Sequence, residues 1–224
     1  MDLNTQEIAE LLNVSKGTVI HWIEEGKIPA YKISDDYRFS RRDIEDWIMQ
    51  NQQETDKIGQ GEEVRENGLN QYSLFRAIHR GFVFDDIPGS TKEELIRNTT
   101  ARLSEQLEID AELLGDLLCD RERMMSTGLG RGIAVPHARD FLLSTHYDVL
   151  AVVYPEEAIE YDSLDGEPVH TMFFLFACED RRHLNILAKI AHLVNQTDGT
   201  NFLQKKPTKE RLLNYVKEME SALL

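Results

Sequence analysis

Residues 51–71, NQQETDKIGQGEEVRENGLNQ, limit what this chain can fold into more than any other stretch. Large apolar side chains are scarce there, while Gln, Glu, Asn and Gly are abundant. Such a segment cannot bury enough surface to offset the entropy of ordering it, so it reads as a linker. It leaves two unequal lengths, residues 1–50 and 72–224, and the chain as a whole has ample material for a buried core. With 41% hydrophobic and 29% charged side chains over 224 residues, the composition is that of a globular protein. No internal repeat is visible.

Other classes are disfavoured early. No apolar run approaches the roughly 20 residues that a membrane-spanning helix needs, and MDLNTQEIAE lacks the basic-then-apolar pattern of a signal peptide. A cytoplasmic location with no membrane partner is expected. Cys119 and Cys178 lie far apart without metal-ligand spacing and read as buried, reduced thiols. The net charge of −15 argues against bulk electrostatic binding to nucleic acid, but leaves room for a local basic face and a basic protein partner.

The first 50 residues carry close helical punctuation. Thr5 is placed to cap a helix with Ile8, Ala9 and Leu12 on one face. Asn13 makes a turn, Ser15 caps a second helix with Val19, Ile20 and Ile23 as its apolar face, and Gly26 ends it. Residues 28–33 and 37–39 flank the turn Ser34-Asp35-Asp36 and predict a β-hairpin. Ser40 opens a last helix carrying Ile44, Trp47 and Ile48.

Two short helices across a three-residue turn predict a helix-turn-helix. Ser15, Lys16, Thr18 and His21 then face outward at the start of the recognition helix, and the hairpin becomes a wing with Tyr37 and Arg38. This order, in VSKGTVIHWIEEGKIPAYKISDDYRFSRRDIEDWI, resembles the excisionase/MerR-like winged-helix family over residues 3–49. The resemblance implies DNA as a partner, contacted by those six residues. The net charge of −4 over residues 1–50 points instead to a protein-interaction module, because phosphate contacts supply much of the affinity for DNA.

Beyond the polar segment, strands and helices are interspersed. Strands are predicted at 82–87, 132–135, 149–154 and 172–178. Helices are predicted from a Ser90/Glu93 capping box to Leu107, from Asp110 with Leu113, Leu114, Leu117 and Leu118 on one face, from about 182 to 196, and from Thr208 to Leu223. The fold class is α/β, with helices packed around a mixed sheet.

The strand Ile133-Ala134-Val135 follows three closely spaced glycines and ends in Pro136 and His137. Pro136 fixes its own φ and restricts Val135, so His137 is delivered at a strand end by backbone with little freedom. The segment RERMMSTGLGRGIAVPHAR closely resembles the active-site segment of enzyme IIA domains of the phosphotransferase system, of the fructose/mannitol/nitrogen class. HLNILAKIAHLVNQ and AIEYDSLDGEPVHTMFFLFA resemble that family's later helix and strands, and the match runs over 72–224. It implies a type-2 IIA mixed sheet with helices on both faces.

The resemblance also implies a site. His137 would accept a phosphoryl group on Nε2, with Nδ1 held by a backbone carbonyl. Histidine suits this because a neutral ring is well populated near pH 7. Arg121 would clamp the phosphoryl oxygens, where a planar fork serves better than a lysine point charge. His183 would support His137, and Thr127 or Ser126 would hydrogen-bond one of the rings. His79, His146, His170 and His192 belong to no motif. No His, Cys, Asp or Glu grouping has metal spacing, and GLGRG lacks the lysine of a phosphate-binding loop, so neither metal nor cofactor is expected.

The partners implied are a histidine phosphocarrier protein, DNA, a regulated target protein and a second copy of the chain in a homodimer. The N-terminal module favours the regulatory, nitrogen-class kind over a transport IIA that passes phosphate to a IIB domain. A binding protein that keeps the IIA fold without its chemistry is the remaining reading. A flexible linker of this length spans roughly 25 Å, beyond a Debye length of about 8 Å. Direct repulsion between a phosphate on His137 and bound DNA is therefore expected to be weak, and any control must change a domain contact, a dimer interface or a bound partner.

Overall fold

A computed structural model describes residues 2–51, 73–138 and 146–223. Apart from Asn51, the polar segment expected as a linker lies outside the described residues.

The N-terminal part is a winged helix-turn-helix with one strand more than the sequence predicts. β1 (Asp2–Asn4) pairs antiparallel with β3 (Asp36–Ser40), which also pairs with β2 (Tyr31–Ile33). Helices α1 (Thr5–Leu12) and α2 (Lys16–Glu24) meet across Asn13, whose left-handed φ of 50° asparagine tolerates well. Two sequence expectations shift here. Asn4, not Thr5, caps α1, in a reciprocal capping box with Glu7. Trp22 joins Val19 on the buried face of α2, while Ile20 is exposed. Ser15 caps α2 by accepting from the Thr18 amide, and α3 (Arg41–Gln50) buries Ile44, Trp47 and Ile48 as expected.

The rest is a five-stranded mixed sheet in the order β4-β7-β8-β6-β5, formed by Val83–Ile87, Val149–Pro155, Thr171–Phe176, Ile133–Ala134 and Gly128–Gly130. The β4–β7 and β6–β8 pairs are parallel, and the β7–β8 and β5–β6 pairs are antiparallel. Both central strands are buried throughout, so their side chains divide by parity between two faces. Leu150, Val152, Tyr154, Phe173 and Leu175 join α4 (Ser73–Arg80), α7 (Asp180–Asn195) and α9 (Lys209–Ala222) on one side. Ala151, Val153, Met172 and Phe174 join α5 (Lys92–Leu107) and α6 (Ala111–Met124) on the other. A short α8 (Thr197–Leu203) links α7 to α9.

Thr91 rather than Ser90 caps α5, and Glu94 rather than Glu93 answers it by accepting from the Ser90 amide and hydroxyl. Leu113 is exposed, so the buried stripe of α6 is narrower than its leucines suggest. Cys178 is only half-buried, whereas Cys119 is buried. Among the described residues no helix is long and apolar enough to cross a membrane.

The two parts do not build separate cores. Ile8, Leu11, Leu12, Ile44, Ile48 and Met49 belong to one continuous apolar cluster with Leu184, Leu187, Leu212 and Val216. Polar contacts edge that seam: Arg41 Nη1 to Asp180 Oδ1 at 2.6 Å, Arg181 to Glu7, and Asn13 Nδ2 to the Leu223 carbonyl at 3.2 Å. The expected separation of roughly 25 Å is thus replaced by direct packing of α1 and α3 on the larger domain.

Candidate active site

His137 stands three residues beyond β6, where the sheet still holds it. It bridges in parallel to Leu175, whose amide donates to the Pro136 carbonyl at 3.0 Å. The approach to β6 depends on Gly132. At φ +74° it adopts a conformation that disfavours any side chain, and a Cβ there would lie 2.3 Å from the His170 ring. His137 Nδ1 lies 2.7 Å from the Val135 carbonyl. A carbonyl only accepts, so Nδ1 carries a proton and Nε2 faces the site, the orientation the sequence reading implied.

Arg121 and His183 converge on that nitrogen from two helices. The last turn of α6 supplies Arg121, anchored by donation from Nη1 to the Met125 carbonyl at 2.9 Å. The first turns of α7 supply His183, whose ring centroid is 5.1 Å from that of His137. Arg123 instead points outward to Asp120 and Glu93.

Ser126 and Thr127 do not meet either ring. Ser126 Oγ donates to the Tyr161 carbonyl, and Thr127 Oγ1 donates to Glu122 at 2.5 Å, with the Thr127 amide on the same carboxylate. They shape the turn between α6 and β5 rather than contact the imidazoles. The expectation for these two residues is corrected accordingly.

A fourth member was missed altogether. Glu45, on α3 of the winged helix, reaches 2.9 Å from His137 Nε2, 3.3 Å from Arg121 Nη2 and 3.3 Å from His183 Nε2. All four groups are sealed: His137 is 0% exposed, Glu45 and His183 2%, and Arg121 3%. Burial alone would raise the Glu45 pKa, but hydrogen bonds and charge from His137 and His183 outweigh it and hold the carboxyl well below its usual range. His183 goes the other way for a base: burial lowers its pKa despite the Glu45 carboxylate.

Glu45 is 92 residues from His137, so no local spacing reveals the contact. One signal was available. Arg41, Ile44, Glu45 and Ile48 share the i, i+3, i+4, i+7 stripe of α3, which places a carboxylate on the face that buries its isoleucines. Glu45, His137 and His183 could also offer three metal ligands, their donor atoms lying within 4.8 Å of one another. Sequence spacing gave no hint of that cluster. The Arg121 guanidinium beside it is a fixed cation, which favours an anionic occupant over a metal ion.

The predicted nucleic-acid residues take no part in the Glu45 cluster. Ser15, Lys16 and His21 are exposed at the start and middle of α2, and Thr18 is half-buried with its hydroxyl 2.8 Å from Ser15 Oγ. Tyr37 and Arg38 are half-buried on the wing, with Lys32 over the Tyr37 ring and Arg38 4.0 Å from Asp36. Docking of the winged helix leaves this face open.

Fold and site together define a IIA-type α/β domain joined to a helix-turn-helix. The chain belongs to the family described as "Phosphoenolpyruvate-dependent sugar phosphotransferase system, EIIA 2", which matches residues 77–219. Residues 3–52 match the family described as "Helix-turn-helix domain". Within the larger family the chain is similar to the nitrogen regulatory protein of Pseudomonas aeruginosa, 32% identical over 139 residues that cover 61% of this chain and 89% of the relative. It is also similar to the fructose-specific EIIABC component of Bacillus subtilis, at 26% identity, but spans only 21% of that protein. The crystal structure of nitrogen regulatory protein IIA-Ntr from Neisseria meningitidis superposes with a TM-score of 0.54 at 25% identity, covering 64% of this chain and 94% of the other.

Proposed function

We propose that this chain is a regulatory, nitrogen-class IIA protein that accepts a phosphoryl group on Nε2 of His137 from a histidine phosphocarrier protein. We divide it into a DNA-binding winged helix over residues 1–50, a linker over 51–71 and the phosphoacceptor domain over 72–224. The observation that carries the proposal is the aim of His137. Its Nδ1 is tied to the Val135 carbonyl, and its Nε2 points at the place where Arg121 and His183 converge.

The chemistry needs little covalent help from the protein. The Nε2 lone pair attacks phosphorus while the P–N bond to the donor breaks and its electron pair returns to the donor nitrogen. Arg121 offsets charge on the equatorial oxygens, and the Val135 carbonyl keeps the remaining ring proton on Nδ1. His183, whose pKa burial lowers, can hydrogen-bond a phosphoryl oxygen. An acidic surface, with net charge −15 on the chain, suits a carrier that is basic around its histidine.

The test is incubation with phosphoenolpyruvate, the system's first enzyme and the carrier, followed by mass mapping of an acid-labile phosphate. Label on His137 is expected, and its loss in both His137→Ala and His137→Gln chains that still melt cooperatively. Because His137 is buried, folding of each variant needs that check. Normal labelling of either variant would sink the assignment.

A further inference from the structure

Glu45 is not part of the IIA domain, yet its carboxylate touches the three groups assigned above to the phosphoryl group: His137, Arg121 and His183. We infer that the winged helix is an intramolecular occupant of the phosphoacceptor face, with Glu45 standing in the phosphoryl position, so that docking of the module and phosphorylation of His137 exclude each other. This rests on the reading of His137 as phosphoacceptor.

Two physical arguments carry it. The first is space. A phosphorus atom bonded to Nε2 would need the volume that Glu45 Oε1 fills at 2.9 Å, and the attacking nitrogen is wholly buried beneath α3. No carrier protein can bring its own phosphohistidine in line while α3 stays in place.

The second is the lone pair. The Val135 carbonyl and the Glu45 carboxylate can only accept, and His137 has one nitrogen against each. Both contacts are satisfied only when both ring nitrogens carry protons. While Nε2 donates to Glu45 its lone pair is not available for attack. Undocking removes the carboxylate from Nε2 and clears the path of an incoming phosphoryl group in one movement.

The contact is built rather than incidental. Arg121 Nη2 also lies 3.8 Å from Asp46, and Arg41 is 3.9 Å from Glu45 on α3 and 2.6 Å from Asp180 at the start of α7. The site therefore holds two anionic side chains of α3 against cationic groups that would otherwise receive phosphate. By linkage, phosphorylation weakens docking by the same factor as docking weakens phosphorylation. A dianionic phosphoryl group on His137 would face Glu45 and Asp46 and drive α3 away.

The test uses the full chain with two phosphodonors, the small molecule phosphoramidate and the phosphorylated carrier. Minor open states are populated at roughly 0.1–10%, so freeing the latch should speed labelling of His137 by about tenfold or more with both donors. Glu45→Gln keeps the shape and removes the charge, and Glu45→Lys sets a cation against Arg121. Hydrogen exchange should show residues 41–50 protected in the unmodified protein and deprotected once His137 is phosphorylated. Equal labelling rates in all three chains, or unchanged protection of 41–50 after phosphorylation, would overturn the latch and leave the phosphoacceptor reading standing. No label on His137 in any chain with either donor would instead remove that reading, and the latch with it.

Discussion

Arg121 and Arg123 lie two positions apart on α6, and the helix turns them into different worlds. Arg121 is buried against Glu45 and the Met125 carbonyl, while Arg123 pairs with Asp120 and Glu93 in solvent. In a Glu45→Gln background, where docking no longer masks the site, Arg121→Ala should slow phosphoryl acceptance about 10²-fold, the effect of losing one transition-state donor. Arg123→Ala should leave the rate nearly unchanged. Initial labelling rates decide, and equal small effects at both positions would remove Arg121 from the site. That His137, Arg121 and His183 lie together could be anticipated because each belongs to a contiguous motif. For Glu45 the α3 stripe signals burial but not its partners, which are joined to it only by the packing of two modules. Ser126 and Thr127 were misplaced for a related reason. Their motif position fixed them near the site, but their hydroxyls were drawn to the buried Glu122 carboxylate and the Tyr161 carbonyl.

At the scale of elements, most helices and strands were legible from period and punctuation, and the errors gather at their ends. Asn4 and Thr91 took the caps expected of Thr5 and Ser90, since neighbouring side chains with equal capping chemistry differ only in backbone angle. β1 escaped notice because three residues carry no periodicity, and its pairing with β3 is a tertiary event. One element end depends on a distant residue. Glu220 of α9 accepts from the Leu74 and Phe75 amides at the first turn of α4 and pairs with Lys189 of α7 at 2.9 Å. A carboxylate there meets the positive end of the helix dipole and a buried ammonium together. Glu220→Ala should destabilise the protein by about 3–5 kcal/mol, as removal of one partner of a buried pair does. Urea unfolding measures it, and a shift below about 1 kcal/mol would mean that water replaces the carboxylate without strain.

At the scale of the whole molecule, the arrangement poses an electrostatic question about DNA. Residues 1–50 carry six Lys/Arg against ten Asp/Glu, and residues 72–224 carry 17 against 25, a net −8. The docked winged helix presents Lys16 and His21 to solvent, so docking does not cover the face expected to meet DNA. It does hold that face beside a body that repels phosphate. If the module binds DNA, release from the body should therefore raise affinity even though no recognition residue is uncovered. The expected gain for the Glu45→Lys chain over wild type is about tenfold near 0.1 M salt, equivalent to a coupling of about 1.4 kcal/mol. Screening sets its signature. The Debye length falls from about 10 Å at 0.1 M to about 3 Å at 1 M, so the gap between the two chains should close as salt rises. Direct phosphate contacts behave differently. Lys16→Ala or Arg38→Ala should each lower the log–log salt slope by about one unit in either chain. Titrating upstream DNA fragments against wild type, Glu45→Lys and the two contact variants across salt separates these terms. A gap that persists at high salt would point to a change of shape rather than charge, and equal affinity at all salts would mean that the latch regulates the histidine alone.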